Sequence, residues 1–255
     1  MKNLTLFVIT GILAAFMLTL GCVETQKQVK KDAQAFTYGN DETEKVEEET
    51  RFTYSGEPPK TLAIFPFENN SITDAERFAP LGKGLAAMLI TDLSKTGTAL
   101  KVIERENIKA LIEEIAFNES GVVDESTAVR LGKMLGAQSI AFGSFMVMGN
   151  QIRIDSRIIN VETSELIMAE SVMGGEAEFM KLVRDLARKI AGSFKVAFRS
   201  PGASSGGSID AALFFSKGLD ALDRGNKAEA GRLFKKSVQL DPAYKKQVDN
   251  VKGLE

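Results

Sequence analysis

Three consecutive stretches, Ser139–Met148, Gln151–Asn160 and Glu165–Met173, alternate or run apolar, and the links between them are short. A period of two is that of a strand with one face buried, and Gly149-Asn150 is a pair suited to a two-residue hairpin turn. Glu162-Thr163-Ser164 makes the second corner. The spacing predicts an antiparallel meander, and a sheet of this size needs a partner layer to be stable.

The chain before and after supplies that layer. Thr61-Leu62-Ala63-Ile64-Phe65-Pro66-Phe67 reads as a buried strand stopped by Glu68-Asn69-Asn70. From Pro80 to Lys95, Leu81, Leu85, Met88, Leu89 and Leu93 recur at helical spacing, with Pro80 in the first turn and Gly97 at the end. Leu100–Ile103 reads as a strand and Arg105–Phe117 as a helix with Ile108, Leu111, Ile112 and Ile115 on one face. Glu125–Leu135 is a further helix closed by Gly136. Glu176–Phe198 reads as one long amphipathic helix facing inward with Phe179, Leu182, Leu186, Ile190 and Phe194. The expected fold class is α/β (α+β), a two- or three-layer unit with a mixed sheet over residues 60–199.

Composition narrows the chemistry. Histidine and tryptophan are absent and Cys22 is the one cysteine among 255 residues. The usual zinc ligand sets, Cys/His pairs and Ser-His-Asp triads are therefore missing. With a net charge of −2 there is no basic field for phosphate backbones, so nucleic acid is not an expected partner. No catalytic residue, metal or cofactor is expected, and an enzyme built on carboxylates alone is the rival from another class.

The first residues have a different character. Met1-Lys2-Asn3 is basic, Leu4–Leu20 is apolar, and small Gly21 precedes Cys22. That order is a secretory signal, residues 1–21, and the run falls slightly short of the roughly 20 residues that span a bilayer. Leu18-Thr19-Leu20-Gly21-Cys22 resembles a bacterial lipobox, with Thr19 and Leu20 in exchanged places. The resemblance implies lipid attachment at Cys22, with palmitate-type acyl chains holding the protein on a membrane. Val23 in place of Asp implies the outer membrane, facing the periplasm. From Cys22 to residue 59 the chain is polar, with Glu47-Glu48-Glu49 and the break Gly56-Glu57-Pro58-Pro59, and reads as a flexible tether.

Ile64-Phe65-Pro66-Phe67-Glu68-Asn69, Pro80-Leu81-Gly82-Lys83-Gly84-Leu85-Ala86, Lys101-Val102-Ile103-Glu104-Arg105, Leu135-Gly136-Ala137, Phe142-Gly143-Ser144 and Arg157-Ile158-Ile159-Asn160-Val161-Glu162-Thr163-Ser164-Glu165 follow one another in order. Together they resemble the curli assembly/transport (CsgG-like) lipoprotein family. The resemblance implies a mixed-sheet core, a place in envelope secretion and, in the family's channel-forming members, a homo-oligomer with inserted membrane hairpins. Gly149-Asn150 and Met173-Gly174-Gly175 leave no room for strands of about 9–11 residues, so this chain resembles an insert-free member. Such members include lipoproteins that activate peptidoglycan-synthesising enzymes.

After a Gly/Ser-rich linker at 200–208, residues 209–255 carry two helical patterns with a turn at Gly225-Asn226. Phe214, Gly218, Ala221, Ala230, Phe234 and Pro242 fall at offsets resembling one tetratricopeptide repeat. Phe214, Gly218, Ala230 and Phe234 are its candidate partner-binding residues, mainly structural in role. One repeat cannot bury its own face, so it packs on the body or completes itself on a partner. Tyr244–Lys252 reads as a basic polar cap.

Other motifs are better explained by packing. Gly82-Lys83-Gly84 lacks the full phosphate-binding fingerprint and fits close packing of a helix on the sheet. Glu104-Arg105-Glu106 and Glu113-Glu114 fit ion pairs, and Met134, Met146, Met148, Met168 and Met173 fit core filling. The expected function is that of an envelope lipoprotein scaffold or assembly factor binding other envelope proteins. A subunit of an oligomeric export channel and an activator of peptidoglycan-synthesising enzymes are the alternatives.

Overall fold

The computed structural model describes residues 54–94, 100–116, 125–198 and 208–254. The apolar run Thr61–Ile64 forms β1, buried from Leu62 on. Beyond Pro66 the same run does not stop at Glu68, as its polarity suggested: Glu68–Asn69 forms a short β2 beside Ser144 and Phe145. Backbone pairing overrides side-chain polarity here, and Asn70 N–H continues it by donating to the Phe145 carbonyl at 2.8 Å. A single turn, α1 (Ala75–Phe78), was not foreseen; it follows Asp74, whose φ is 45°.

Helix α2 (Leu81–Leu93) is buried almost all round rather than on one stripe. A helix apolar on all sides must be covered on all sides, and the reason appears at the end of the chain. Next come β3 (Lys101–Val102), α3 (Arg105–Ala116) and α4 (Glu125–Met134). The predicted meander follows as β4 (Ser139–Met148), β5 (Gln151–Asn160) and β6 (Leu166–Gly175). The expected helix over 176–198 begins instead as a 3-10 turn at Glu176–Glu178, and α5 (Phe179–Ser193) stops five residues early. Lys195 takes a left-handed φ of 56° there, and Val196 N–H turns back to the Ala191 carbonyl at 3.1 Å, which closes the helix.

The sheet order is β3-β1-β4-β5-β6, with β2 extending the β1 side along β4. β3, β1, β2 and β4 are parallel, while β4, β5 and β6 are antiparallel. Phe145, Val147, Ile152, Ile154, Ile158 and Val172 point to one face and are buried there. That face meets α2 and α5. On the other face α4 rests on the start of β4, with Gly132 against Ile140 and Val161.

The C-terminal helices α6 (Ile209–Asp223) and α7 (Lys227–Leu240) form a hairpin that lies outside α2. Each helix is capped as its sequence dictates: Ser208 Oγ accepts from Asp210 N–H and Asn226 Oδ1 from Glu229 N–H, both at 3.1 Å. Gly225, at φ 76°, makes the turn between them. The last segment is a 3-10 turn at Pro242–Tyr244 and α8 (Lys245–Asp249). It is not the polar cap expected. Tyr244 is fully buried with its ring 6.3 Å from that of Phe215, and its hydroxyl donates to the Ser208 carbonyl at 3.3 Å. The aromatic side chain outweighs the basic character of its neighbours. On the N-terminal side, Tyr54 already rests on the body, its hydroxyl 3.4 Å from Asn160 Nδ2.

Candidate functional site

The half of the sheet beyond α4 has one face that no described element covers. Alternation places Phe142, Ser144, Met146 and Met148 of β4 on it, with Arg157, Asp155 and Arg153 of β5 and Ala169, Ser171 and Met173 of β6. The register sets these into rows: Phe142, Arg157 and Ala169; then Glu68, Ser144, Asp155 and Ser171; then Met146, Arg153 and Met173. The surface, bounded by Pro66 and Ile112, encloses a cleft of about 1080 Å³. Met173 is 57% and Met148 38% exposed, against the core-filling expected of methionine; Met134 is also exposed, and Met168 alone of the five is buried.

The charges of this face are arranged in two ways. Arg153 Nε donates to both oxygens of Asp155 at 2.9 Å and Nη2 donates to Oδ1 at 2.7 Å. The hydrogen bonds and charge of Asp155 raise the Arg153 guanidinium above its ordinary value. Asp155 is thus engaged and is not a free base for the hydroxyls of Ser144 and Ser171 beside it. Glu68 and Arg157 form no ion pair among the described residues and stand on opposite sides of β4. Such a face offers contact area, two free charges and hydroxyls, which suits recognition of a surface.

Of the remaining predicted residues, Gly218, Ala230 and Phe234 pack within the helical hairpin. Cys22, the signal segment and the acidic tether up to residue 53 lie outside the described residues. Gly218 lies against the Phe234 ring, where a Cβ would come within 2.5 Å of it, and Ala230 and Phe234 are buried between α6 and α7. Phe214 is half-buried, with Lys217 Nζ 5.9 Å from its ring centre. In Gly82-Lys83-Gly84 the glycines let α2 approach two neighbours: a Cβ on Gly82 would overlap the Phe67 carbonyl, and one on Gly84 the Ser216 hydroxyl.

Lys83 belongs to a seam that individual charges did not reveal. Three acids of α6 face three cations of the body: Asp210 with Arg77 at 2.6 Å, Asp220 with Lys83 at 2.6 Å, and Asp223 with Arg105 at 2.6 Å and Lys83 at 3.4 Å. Beneath Arg105 and Asp223 lies an apolar pocket of about 130 Å³ lined by Ile64, Ala86, Ile90, Ile108 and Ile112. At the far end of α2, buried Asp92 accepts from Lys246 at 3.2 Å and Gln247 at 3.3 Å. Glu113 pairs with Lys109, and Glu104 with Lys252.

The stretch that builds this core can be compared with known families. Residues 59–149 match the model of the family described as curli production assembly/transport component CsgG. The CsgG match covers the motifs from Ile64 to Ser144 that carried the resemblance in the sequence. No curated protein matches the chain. Among solved structures, a lipoprotein of Neisseria meningitidis is 14% identical over 52% of this chain and 97% of its own, at a TM-score of 0.39. The C-terminal domain of LpoB from Salmonella enterica is 13% identical over 48% and 87%, at 0.35. PelC from Paraburkholderia phytofirmans, described as a dodecamer, is 11% identical over 55% and 89%, also at 0.35.

Proposed function

We propose that this chain is an envelope lipoprotein that acts as a protein-binding scaffold or assembly factor, anchored through acyl chains on Cys22 to the outer membrane and facing the periplasm. The observation that carries this reading is the open sheet face on a CsgG-like core: an area for contact on which Asp155 is held by Arg153 while Glu68 and Arg157 stand unpaired among the described residues. Binding rather than catalysis is the role such a face supports. The α6–α7 hairpin, which resembles one tetratricopeptide repeat, adds a second surface through half-buried Phe214 and the exposed side of α7. Activation of peptidoglycan-synthesising enzymes is one task within this class.

The rival reading, a subunit of an export channel, requires inserted strands of about 9–11 residues to cross the bilayer. Here β4 and β5 are joined by Gly149-Asn150, and β6 leads directly into the turn at Glu176. The test is crosslinking in cells followed by purification in mild detergent and determination of native mass. Cys22→Ala is expected to abolish incorporation of labelled palmitate and to release the chain from the membrane fraction. A distinct envelope protein crosslinked to the chain supports the scaffold. A closed ring that conducts ions in a planar bilayer overturns it in favour of the channel.

A further inference from the structure

We infer that the open face of β4, β5 and β6 is a self-association surface, on which a second copy of this chain docks face to face about a two-fold axis. The inference deepens the scaffold reading by naming the first partner of that face, but it does not depend on the lipid anchor. The argument is one of self-complementarity. In an isologous contact residue i meets j and j meets i, so a face that pairs with itself needs its unpaired charges to be opposite and placed across the axis.

The two unpaired charges here meet that condition. Glu68 is in register with Ser144 and Arg157 with Phe142, so the pair straddles β4. From strand spacing and rise, Glu68 and Arg157 stand about 12 Å apart, and the midpoint between them lies over Gly143. A two-fold axis in the plane of contact at that point, perpendicular to the line joining the two residues, brings Glu68 of each copy to Arg157 of the other. The Arg153–Asp155 pair is internally neutralised, so it sets no repulsion across the axis. Phe142, Met146, Met148 and Met173 supply apolar area around the charges, and flexible methionines adapt to a copy of themselves. Sheets stack at about 10 Å, which brings Ser144 of each copy close to the axis and to its counterpart. The face projects roughly 450 Å² per copy, below a standard interface, so the dimer is reversible and depends on concentration.

The test uses the full chain in mild, density-matched detergent, by sedimentation equilibrium over a range of protein concentrations. A monomer–dimer equilibrium is expected. Glu68→Arg or Arg157→Glu alone raises the dissociation constant about tenfold, because the axis counts each lost pair twice, and the two together restore it. In a Cys22→Ala background, Ser144→Cys is joined to its counterpart by a short bismaleimide, whereas Gln239→Cys on the exposed side of α7 is not. A chain that stays monomeric at every concentration, a double reversal no better than the single ones, or crosslinking at Gln239 but not Ser144 overturns the inference. A monomer that still crosslinks to a distinct envelope protein refutes this docking mode and leaves the scaffold reading standing.

Discussion

Removal of the Asp223 carboxylate is expected to loosen the α6–α7 hairpin from the body. Asp223 accepts two bonds from Arg105, at 2.6 and 3.0 Å, and its side chain is 11% exposed against 18% for Arg105. Exposed pairs contribute about 0–1 kcal/mol, whereas removing one partner of a fully buried pair costs about 3–5. Both groups here keep some contact with water, so Asp223→Ala should cost about 2–3 kcal/mol, mostly through an Arg105 left without a partner. The Lys83 contact at 3.4 Å adds little, because Lys83 is half exposed and holds Asp220 more closely. Urea unfolding followed by circular dichroism measures the cost directly. In thermal unfolding it corresponds to a fall of about 5–10 °C for a body of this size. A double-mutant cycle with Arg105→Leu should return a coupling of about 1–2 kcal/mol. If Asp223→Ala lies within about 0.5 kcal/mol of the parent and the coupling vanishes, the seam is solvated and apolar packing alone holds the hairpin.

Gly82→Ala would raise helix propensity by about 1 kcal/mol, yet its Cβ meets the Phe67 carbonyl, which is backbone and cannot step aside. A net loss of about 1–2 kcal/mol in urea unfolding is expected, and a gain would show that α2 shifts freely. Burial, and secondarily the charge of Asp241, pushes the Tyr244 hydroxyl well above its usual value. A folded-state pKa raised above the unfolded value of about 10 gives stability that is complete below pH 10 and lost as pH rises further. The phenolate absorbance of Tyr244 should therefore appear together with loss of helical signal, and Tyr244→Phe should lack that step. Met173→Ala on the open face should change stability by less than about 0.5 kcal/mol, whereas Ile154→Ala, pointing the other way, should cost about 2–5. Equal costs at the two positions would mean that the open face is covered in the folded chain.

The meander was legible almost to the residue because a two-residue turn leaves no slack in register. β4 and β5 have the boundaries that the alternation gives, with Gly149 at the φ of 57° the turn requires. Gly218, Ala230 and Phe234 stood out in the sequence only through their offsets in a repeat, which did not show that the Phe234 ring lies against Gly218. The seam was not, because Asp210, Asp220 and Asp223 each look like a solvated helical charge until α6 lies against Arg77, Lys83 and Arg105. Nor was the full burial of α2, since one apolar stripe satisfies the sheet and only the later hairpin demands a second. Alternation also told which residues share a face of the meander without telling which face stays open.

That last point follows from connectivity rather than composition. A parallel link must cross over the sheet, and each crossover here brings a helix: α2 between β1 and β3, then α3 and α4 between β3 and β4. The second crossover ends where β4 begins, so α4 reaches only the first residues of that strand. The antiparallel links after β4 are a two-residue turn and a short corner, which carry no helix to either face. When a helix does return, α5 joins α2 on the face already in use and buries Ile154 and Val172 together with it. Among the described residues, the opposite face of β5 and β6 is thereby left without a crossover to cover it, whatever side chains it bears. Folding needs little from these positions, so their arginines, methionines and hydroxyls are free to answer to a partner.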